Sequence, residues 1–319
     1  MSILIQKSGI LSTVQDLGRR GYRQFGINPN GAMDSHAVRL INILLGNDET
    51  EAVLEMHFPA PEILFEADAI VALGGADFNA KINNESVENW RPFSVKKNQL
   101  LSFTNKTSGT RAYLSVKGGF KIKNWLGSAS TNLTAKIGGF DGRSLINGDR
   151  LFFNSKFKIQ NSKFSYKISR SLIPYYSAFP TIRVVSGAEF EDLTALSEQN
   201  FLKQVFSVGN DSDRMGFRLR GEPLYLLDGK ELVSAAVNFG TIQLLPDGQI
   251  IVLMADHQTS GGYPRIAHVV STDLPVLAQL GANDKVGFEM ISPAAAENLI
   301  TQFEEDLNFL RIGANSKYV

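Results

Sequence analysis

Ile250-Ile251-Val252-Leu253-Met254-Ala255-Asp256-His257-Gln258-Thr259-Ser260-Gly261-Gly262-Tyr263-Pro264-Arg265 is the stretch on which the reading of this chain turns. The apolar run Ile250 to Met254 is too short for a buried helix, and its β-branched content suits a strand covered on both faces. Donors, acceptors and two glycines follow at once. A buried strand ending this way delivers a cluster of polar groups to the edge of its sheet. His257 in that cluster can act as general acid or base near neutral pH, with Asp256 or Gln258 fixing its tautomer. Thr259 lies in the same run, and Tyr263 supplies a hydroxyl or a stacking face.

Similar short runs recur outward from this point: Ile63 to Phe65, Ala69 to Leu73, Arg111 to Val116, Ile182 to Val185 and Thr241 to Leu245. Gly, Asn and Asp punctuate them, and the 28 glycines supply the positive-φ turns that a strand-rich fold requires. Helical signals are few. Asp34 can cap a helix to about Leu45, with Gly46 as its stop and Ala37, Val38, Ile41 and Leu44 on one face. Asp273 to Leu280 suits a short helix with Pro275 near its start. Ser292-Pro293 opens a last helix to about Arg311, with Leu299, Phe303, Leu307 and Leu310 as a packing stripe.

The pattern predicts a mainly β protein in two parts of similar size, residues 1–155 and 181–319. Residues 156–180 read as a linker: Lys156, Lys158, Lys163, Lys167 and Arg170 occur there with no acidic residue, and Pro174 and Pro180 close the run. A solvated linker or edge hairpin on one side, and an anion-binding patch on the other, are the readings of those lysines.

Composition excludes several classes. The chain of 319 residues is 43% hydrophobic and 20% charged, which suits a sizeable core. It contains no cysteine, so disulfides, thiolate metal sites and a cysteine nucleophile are out. Lys plus Arg balances Asp plus Glu at 32 each, leaving no global field for nucleic acid or an anionic membrane. No apolar run approaches the ~18 residues that span a bilayer, and Met1 to Lys7 lacks the build of a signal peptide, so a cytoplasmic location is expected. There is no G-x-x-x-x-G-K-[ST] loop, no G-x-G-x-x-G, no G-x-S-x-G elbow and no biotin-attachment Met-Lys-Met. His36, His57, His257 and His268 lack metal-ligand spacing, and no metal site is expected.

Two further polar segments stand among glycines. In Gly9 to Tyr22, Asp16 and Arg19 can pair to order the loop, or Arg19 can grip a carboxylate with its planar fork. In Asn210 to Leu219, Arg214 can bind an anion with Asp213 positioning it, or both can satisfy a turn.

Taken together, the segments resemble the family of biotin-dependent carboxyltransferases, which takes in allophanate hydrolase subunit 2 and the C subunit of 5-oxoprolinase. The residues that carry the resemblance run along nearly the whole chain. They are Thr13-Val14-Gln15-Asp16-Leu17-Gly18-Arg19, Gly31-Ala32-Met33-Asp34, Leu54-Glu55, Gly74-Gly75-Ala76-Asp77, Gly118-Gly119 and Gly127-Ser128-Ala129-Ser130-Thr131. Gly138-Gly139, Gly142-Arg143, Ser212-Asp213-Arg214-Met215-Gly216, Gly240-Thr241-Ile242-Gln243 and Ala255 to Pro264 complete the set.

The resemblance implies two cyclophilin-like β-barrel domains with a few short helices. It implies a C subunit acting with a B subunit of related fold and an A subunit in ATP-dependent opening of 5-oxo-L-proline to L-glutamate, with ATP used by the assembled complex. Its alternatives are carboxyl transfer from carboxybiotin in a urea carboxylase or allophanate hydrolase system, and a regulatory module that binds a kinase-inhibitor-like B partner. On the oxoprolinase reading His257, Arg214 and Asp213 are the catalytic candidates. Arg19, Asp16, Gln258, Thr259 and Tyr263 are the candidates for binding substrate. The stretch Ser234-Ala235-Ala236-Val237-Asn238-Phe239-Gly240 departs from the Ser-Glu-Gly-Val-Val-Pro-Gly of many relatives and puts any role of that loop in question.

Overall fold

The computed structural model describes residues 1–154, 164–228 and 232–318, with side chains described as far as Ala314. Lys156, Lys158 and Lys163 of the basic stretch, and residues 156–163 of the expected linker, lie outside the described residues. The chain divides into two compact units, and the division is not a single cut. Met1–Arg19, Asn30–Tyr175 and Glu305–Val319 make one unit, and Arg20–Pro29 with Tyr176–Glu304 make the other.

The first unit contains β1 (Ser2–Lys7), β2 (Ser12–Gln15), α1 (Ser35–Leu44), β3 (Val53–His57), β4 (Glu62–Phe65) and β5 (Ala69–Asp77). It continues through β6 (Ala80–Ile82), β7 (Glu85–Ser86), β8 (Pro92–Val95), β9 (Leu100–Phe103), β10 (Ser108–Val116) and β11 (Arg150–Phe152). These form a six-stranded sheet, β11-β1-β4-β9-β6-β7, and a five-stranded sheet, β2-β3-β10-β5-β8. Both sheets contribute to one apolar core, from Ile3, Ile5, Ile63 and Phe65 on one side to Leu54, Val71, Leu73 and Leu114 on the other. Alternation along each strand sends these side chains inward.

Helix α1 forms where the capping signals placed it. The Asp34 carboxylate accepts from Ala37 N at 2.9 Å, and Gly46 ends the helix with φ of 66°. Val38, Leu40, Ile41 and Leu44 are all buried, each contributing about 1.5–3 kcal/mol relative to an exposed position.

The second unit contains β12 (Thr181–Ser186), α2 (Ala195–Lys203), β13 (Phe206–Val208), β14 (Gly216–Arg220), β15 (Ala235–Ala236), β16 (Thr241–Leu244) and β17 (Ile250–Leu253). β18 (Ser260–Gly261), β19 (Arg265–Val269), α3 (Leu274–Ala278) and β20 (Lys285–Met290) follow. Seven strands close a barrel in the order β12-β19-β16-β17-β14-β13-β20, and the parallel β12–β20 pair completes the ring. Alternate residues fill its interior: Ile182 and Val184, Ile242 and Leu244, Ile250 and Val252, Val286 and Phe288 are all buried. The protein is thus mainly β, as expected, and the six apolar runs read as strands each lie on one, overrunning it by at most a residue.

Helix α2 has no counterpart in the sequence reading. Only Ser197 and Phe201 of it are buried, too few for a visible stripe, and Phe201 stacks on Phe288 with ring centroids 5.0 Å apart. Asp273 stands at the start of α3, but Arg183 takes its carboxylate, donating from Nε at 2.9 Å. The last helix, α4 (Pro293–Tyr318), runs a turn or more past the expected Arg311 stop. Within its predicted stripe Leu307 is fully buried, whereas Leu299, Phe303 and Leu310 are half-buried. Among the described residues no helix is long and apolar enough to cross a membrane.

Candidate functional site

Past Leu253 the chain leaves the barrel wall in a turn that the β14–β17 pairing ties to the loop before β14. Asp256 N donates to Arg214 O at 2.7 Å and His257 N to Met254 O at 3.0 Å. The same pairing places the Arg214 guanidinium against the Asp256 carboxylate, Nε to Oδ2 and Nη2 to Oδ1, both at 2.9 Å. Each side chain is only 7% exposed. A bidentate pair shielded like this is strongly directional, and removing one member strands a buried charge.

The partner of Arg214 is therefore Asp256. Asp213, expected to position it, instead accepts from Met215 N at 2.8 Å and Gly216 N at 3.2 Å, the geometry of a turn leading into β14. Sequence adjacency favoured Asp213, whereas strand pairing brings in a residue 42 positions away.

His257 sits next in line. Its Nδ1 lies 2.5 Å from the Gln258 carbonyl oxygen. A carbonyl only accepts, so Nδ1 carries the proton and the neutral ring offers Nε2 as a base. Burial pushes its pKa below the ordinary histidine value; the Gln258 carbonyl and Asp256 oppose this, and Arg23 adds to it. His268 on β19 lies beside Thr241, its Nδ1 3.2 Å from Thr241 Oγ1, which also accepts from Asn238 N at 3.0 Å. Its pKa is lowered as well, by burial first and by Arg265 next, with Glu189 opposing.

A segment from far upstream completes this cluster. Arg20–Pro29 belongs to the second unit, where Arg23 donates to both Asn238 Oδ1 and the Val237 carbonyl. Asn28 Nδ2 donates to the Asp256 carbonyl at 3.0 Å. Val237 N in turn reaches Thr259 O at 3.3 Å, and β15 pairs with β18 over two residues. The divergent loop 234–240 is thus bound on one side to Arg23 and on the other to the polar run after β17. Gln258 is exposed, Tyr263 is 46% exposed, and the Tyr263 carbonyl accepts from Gln243 Nε2 at 3.1 Å.

Asp16 and Arg19 lie in the first unit and form a closed network of their own. Asp16 accepts from Gly18 N at 2.7 Å, Ser128 Oγ at 2.7 Å, Ala129 N at 2.6 Å and Ser130 Oγ. Arg19 donates to Asn30 Oδ1 and to Ser130 O at 2.5 Å, and lies 4.9 Å over the Trp125 ring. The expected Asp16–Arg19 ion pair is replaced by separate partners for each charge. Arg19 is 1% exposed, so the fork expected to grip a carboxylate is engaged inside the protein. Gly138 and Gly139 make room for this packing. A Cβ on Gly138 would stand 2.9 Å from Arg19 Nη2, and one on Gly139 would stand 1.8 Å from Thr131 Oγ1.

A family model described as carboxyltransferase domain, subdomain A and B, matches residues 25–290. The chain belongs to this carboxyltransferase-domain family. It is 36% identical to the 5-oxoprolinase C subunit of Haemophilus influenzae over 300 residues, 94% of each protein. It is also 36% identical to the 5-oxoprolinase C subunit of Escherichia coli, covering 90% of this chain and 91% of that protein. Urea amidolyase of Saccharomyces cerevisiae is 28% identical over 93% of this chain and 17% of its own length. Among solved structures, the Kluyveromyces lactis urea carboxylase superposes with a TM-score of 0.91 at 27% identity, covering 98% of this chain and 29% of that one.

The carboxyltransferase-domain match takes in the second-unit cluster from Asn28 to His268, and Arg23 lies just ahead of it. Sequence reasoning found His257, Gln258, Thr259, Tyr263 and Arg214 of that cluster. It did not find Arg23, Asn28, Asn238, Gln243 or His268 as members. For Thr241 and Gln243 a signal existed: they alternate along the Gly240-Thr241-Ile242-Gln243 strand beside the polar run. For Arg23 none did, because its partner lies 215 positions away.

Proposed function

We propose that the chain is the C subunit of an ATP-dependent 5-oxoprolinase, acting in the cytoplasm with an A and a B subunit to open 5-oxo-L-proline to L-glutamate. The observation that carries this reading is the 36% identity to a 5-oxoprolinase C subunit over 94% of both proteins. A relative matched along nearly its whole length, rather than through one shared domain, supports transfer of its role to this chain.

The second-unit cluster supplies chemistry that fits. Lactam opening needs a proton taken from attacking water and one given to the departing nitrogen. A neutral His257 with Nε2 as acceptor is the base for the first of these. Arg214, held by Asp256, contributes fixed positive charge near a developing oxyanion and is a positioning group for the Asp256–His257 turn. Gln258, Thr259 and Tyr263 line the approach, and Asp213 shapes the turn before β14. Arg19 and Asp16 act through the rigidity of the first unit. ATP activates the amide oxygen in the assembled complex, and this chain has no G-x-x-x-x-G-K-[ST] loop to hold it.

The test is glutamate release from 5-oxoproline and ATP by this chain with its A and B partners, repeated with the chain omitted. Activity that requires the chain supports the reading, and an inactive trio overturns it. The 0.91 TM-score to a urea carboxylase favours carboxyl transfer to a urea-like amide as the second reading, with biotin carried by another protein. Carboxylation of urea in the presence of a biotin carrier, with no glutamate released, selects it.

A further inference from the structure

Gln243 on β16 and Gln258 beyond β17 bring their carboxamides to one point beside Gly261. A Cβ placed on Gly261 would stand 2.9 Å from Gln243 Nε2, 3.4 Å from Gln243 Oε1 and 3.4 Å from Gln258 Nε2. Gly261 is not among the glycines with positive φ, so its backbone would accept alanine. What the glycine preserves is space between two amides.

The orientation of Gln243 is settled by its neighbour. Nε2 donates to the Tyr263 carbonyl at 3.1 Å, and since a carbonyl only accepts, Oε1 must face the other way. That Oε1 is buried, on a side chain with no exposed surface, and takes no hydrogen bond from a described residue. Leaving a buried acceptor unsatisfied costs about 1–3 kcal/mol. Gln258 is exposed beside it. An acceptor and a donor set side by side match the edge of a cis amide, where N–H and C=O point the same way. A lactam presents that edge, and so does each half of a urea or cyclic ureide. A trans peptide group, with N–H and C=O on opposite sides, does not.

We propose that Gln243 Oε1 and Gln258 Nε2 form a subsite that reads the N–H/C=O edge of a cis amide, with Gly261 kept free of a side chain to admit it. The inference rests on the reading of the second-unit cluster as the working site, and it names what that site recognises. Entry of the ligand displaces the β15–β18 ladder, in which Ala235 faces Gly261 and Ala236 faces Ser260. A two-stranded pair this short is marginal by itself and yields readily.

The test is a titration of the full chain, labelled with ¹⁵N-glutamine, followed at its side-chain amides. The probes are 5-oxoproline, urea, 2-imidazolidinone and, as the trans-amide control, N-methylacetamide. The expected result is a shift of the Gln243 and Gln258 amides by a cis-amide probe and none by N-methylacetamide. Gly261→Ala and Gln258→Met should each weaken the effective probe roughly tenfold, the equivalent of one lost hydrogen bond. Gln258→Met changes an exposed position and keeps the test valid if Gly261→Ala fails to fold. Response to 5-oxoproline supports the subsite as a lactam reader. Response to urea or imidazolidinone alone supports the subsite while counting against the oxoprolinase reading. No response to any probe, or an equal response to N-methylacetamide, overturns it. So does glutamate release by the assembled trio with an unchanged KM for 5-oxoproline in both variants, which leaves the oxoprolinase reading standing.

Discussion

Arg214 and Asp256 meet through two parallel hydrogen bonds of 2.9 Å across the β14–β17 pair, with both side chains almost fully buried. The pair joins the turn before β14 to the turn that carries His257, so it fixes the site by fixing two strand ends at once.

Removing one partner alone leaves the other charged and buried, and Arg214→Ala or Asp256→Ala should destabilise by about 3–5 kcal/mol. Arg214→Met with Asp256→Leu removes both charges and should recover much of that loss. Urea denaturation of the two single variants and the double variant checks this, and equal losses in all three would contradict the ion-pair account. Activity should stay absent in the double variant even where stability returns, because the carboxylate beside His257 is gone.

His257 and His268 give the stability a defined pH dependence. Both pKa values lie below the ordinary 6.5 in the folded state, with burial the first cause in each case. The unfolded chain therefore binds more protons between the folded pKa values and 6.5, and stability must fall as pH drops through that window. Above 6.5 both forms are neutral and the penalty is absent. Thermal melts from pH 5 to pH 8 should show this acid loss, and His257→Gln with His268→Gln should reduce it. If the double variant loses stability as steeply as the native protein, other groups govern the acid limb.

Much of this architecture was legible in the sequence because its signals are local. Ile250 to Leu253 reads as a strand from the apolar run Ile250 to Met254, and α1 reads from Asp34, Gly46 and the one apolar face between them. Helix α2 was not legible, since one buried Phe201 makes no period. In the site, His257 and its flanking residues stood out because they are consecutive. The partner of Arg214 was misread because the choice between Asp213 and Asp256 is made by strand register, which no spacing reveals. Asp16 and Arg19 looked like a ligand grip because charged residues among glycines look alike whether they face solvent or the interior. Ser128 and Ser130, which close around them, are more than 110 positions away in sequence.

The glycines beside that network should differ sharply in their tolerance. Gly139 and Gly127 both have positive φ, 55° and 76°. A Cβ on Gly139 would collide with Thr131 Oγ1 at 1.8 Å, whereas one on Gly127 meets nothing within 4 Å. Gly127→Ala should cost the backbone term alone, about 1–2 kcal/mol. Gly139→Ala adds an overpacking term of about 1–3 kcal/mol and should be clearly the worse. Chemical denaturation of the two variants decides it, and equal losses would mean that Thr131 moves aside without cost.

Arg23 links the upstream segment to the pH behaviour of the site. Its fork holds Asn238 and Val237, and its charge depresses the pKa of His257. Arg23→Gln keeps a donor for one of those acceptors and removes the charge. The His257 pKa, read from the imidazole resonances of the full chain by NMR titration, should therefore rise toward 6.5. The base limb of any activity carried by neutral His257 should move up in pH with it, so that the variant loses most activity on the acid side. Arg23→Lys keeps the charge but not the planar fork. It should preserve the native pKa while loosening the loop at Val237–Asn238, visible as faster amide exchange at Val237, whose N–H bonds Thr259. A His257 pKa that is the same in native, Gln and Lys forms would place Arg23 outside the electrostatics of the site and leave it only the loop contact.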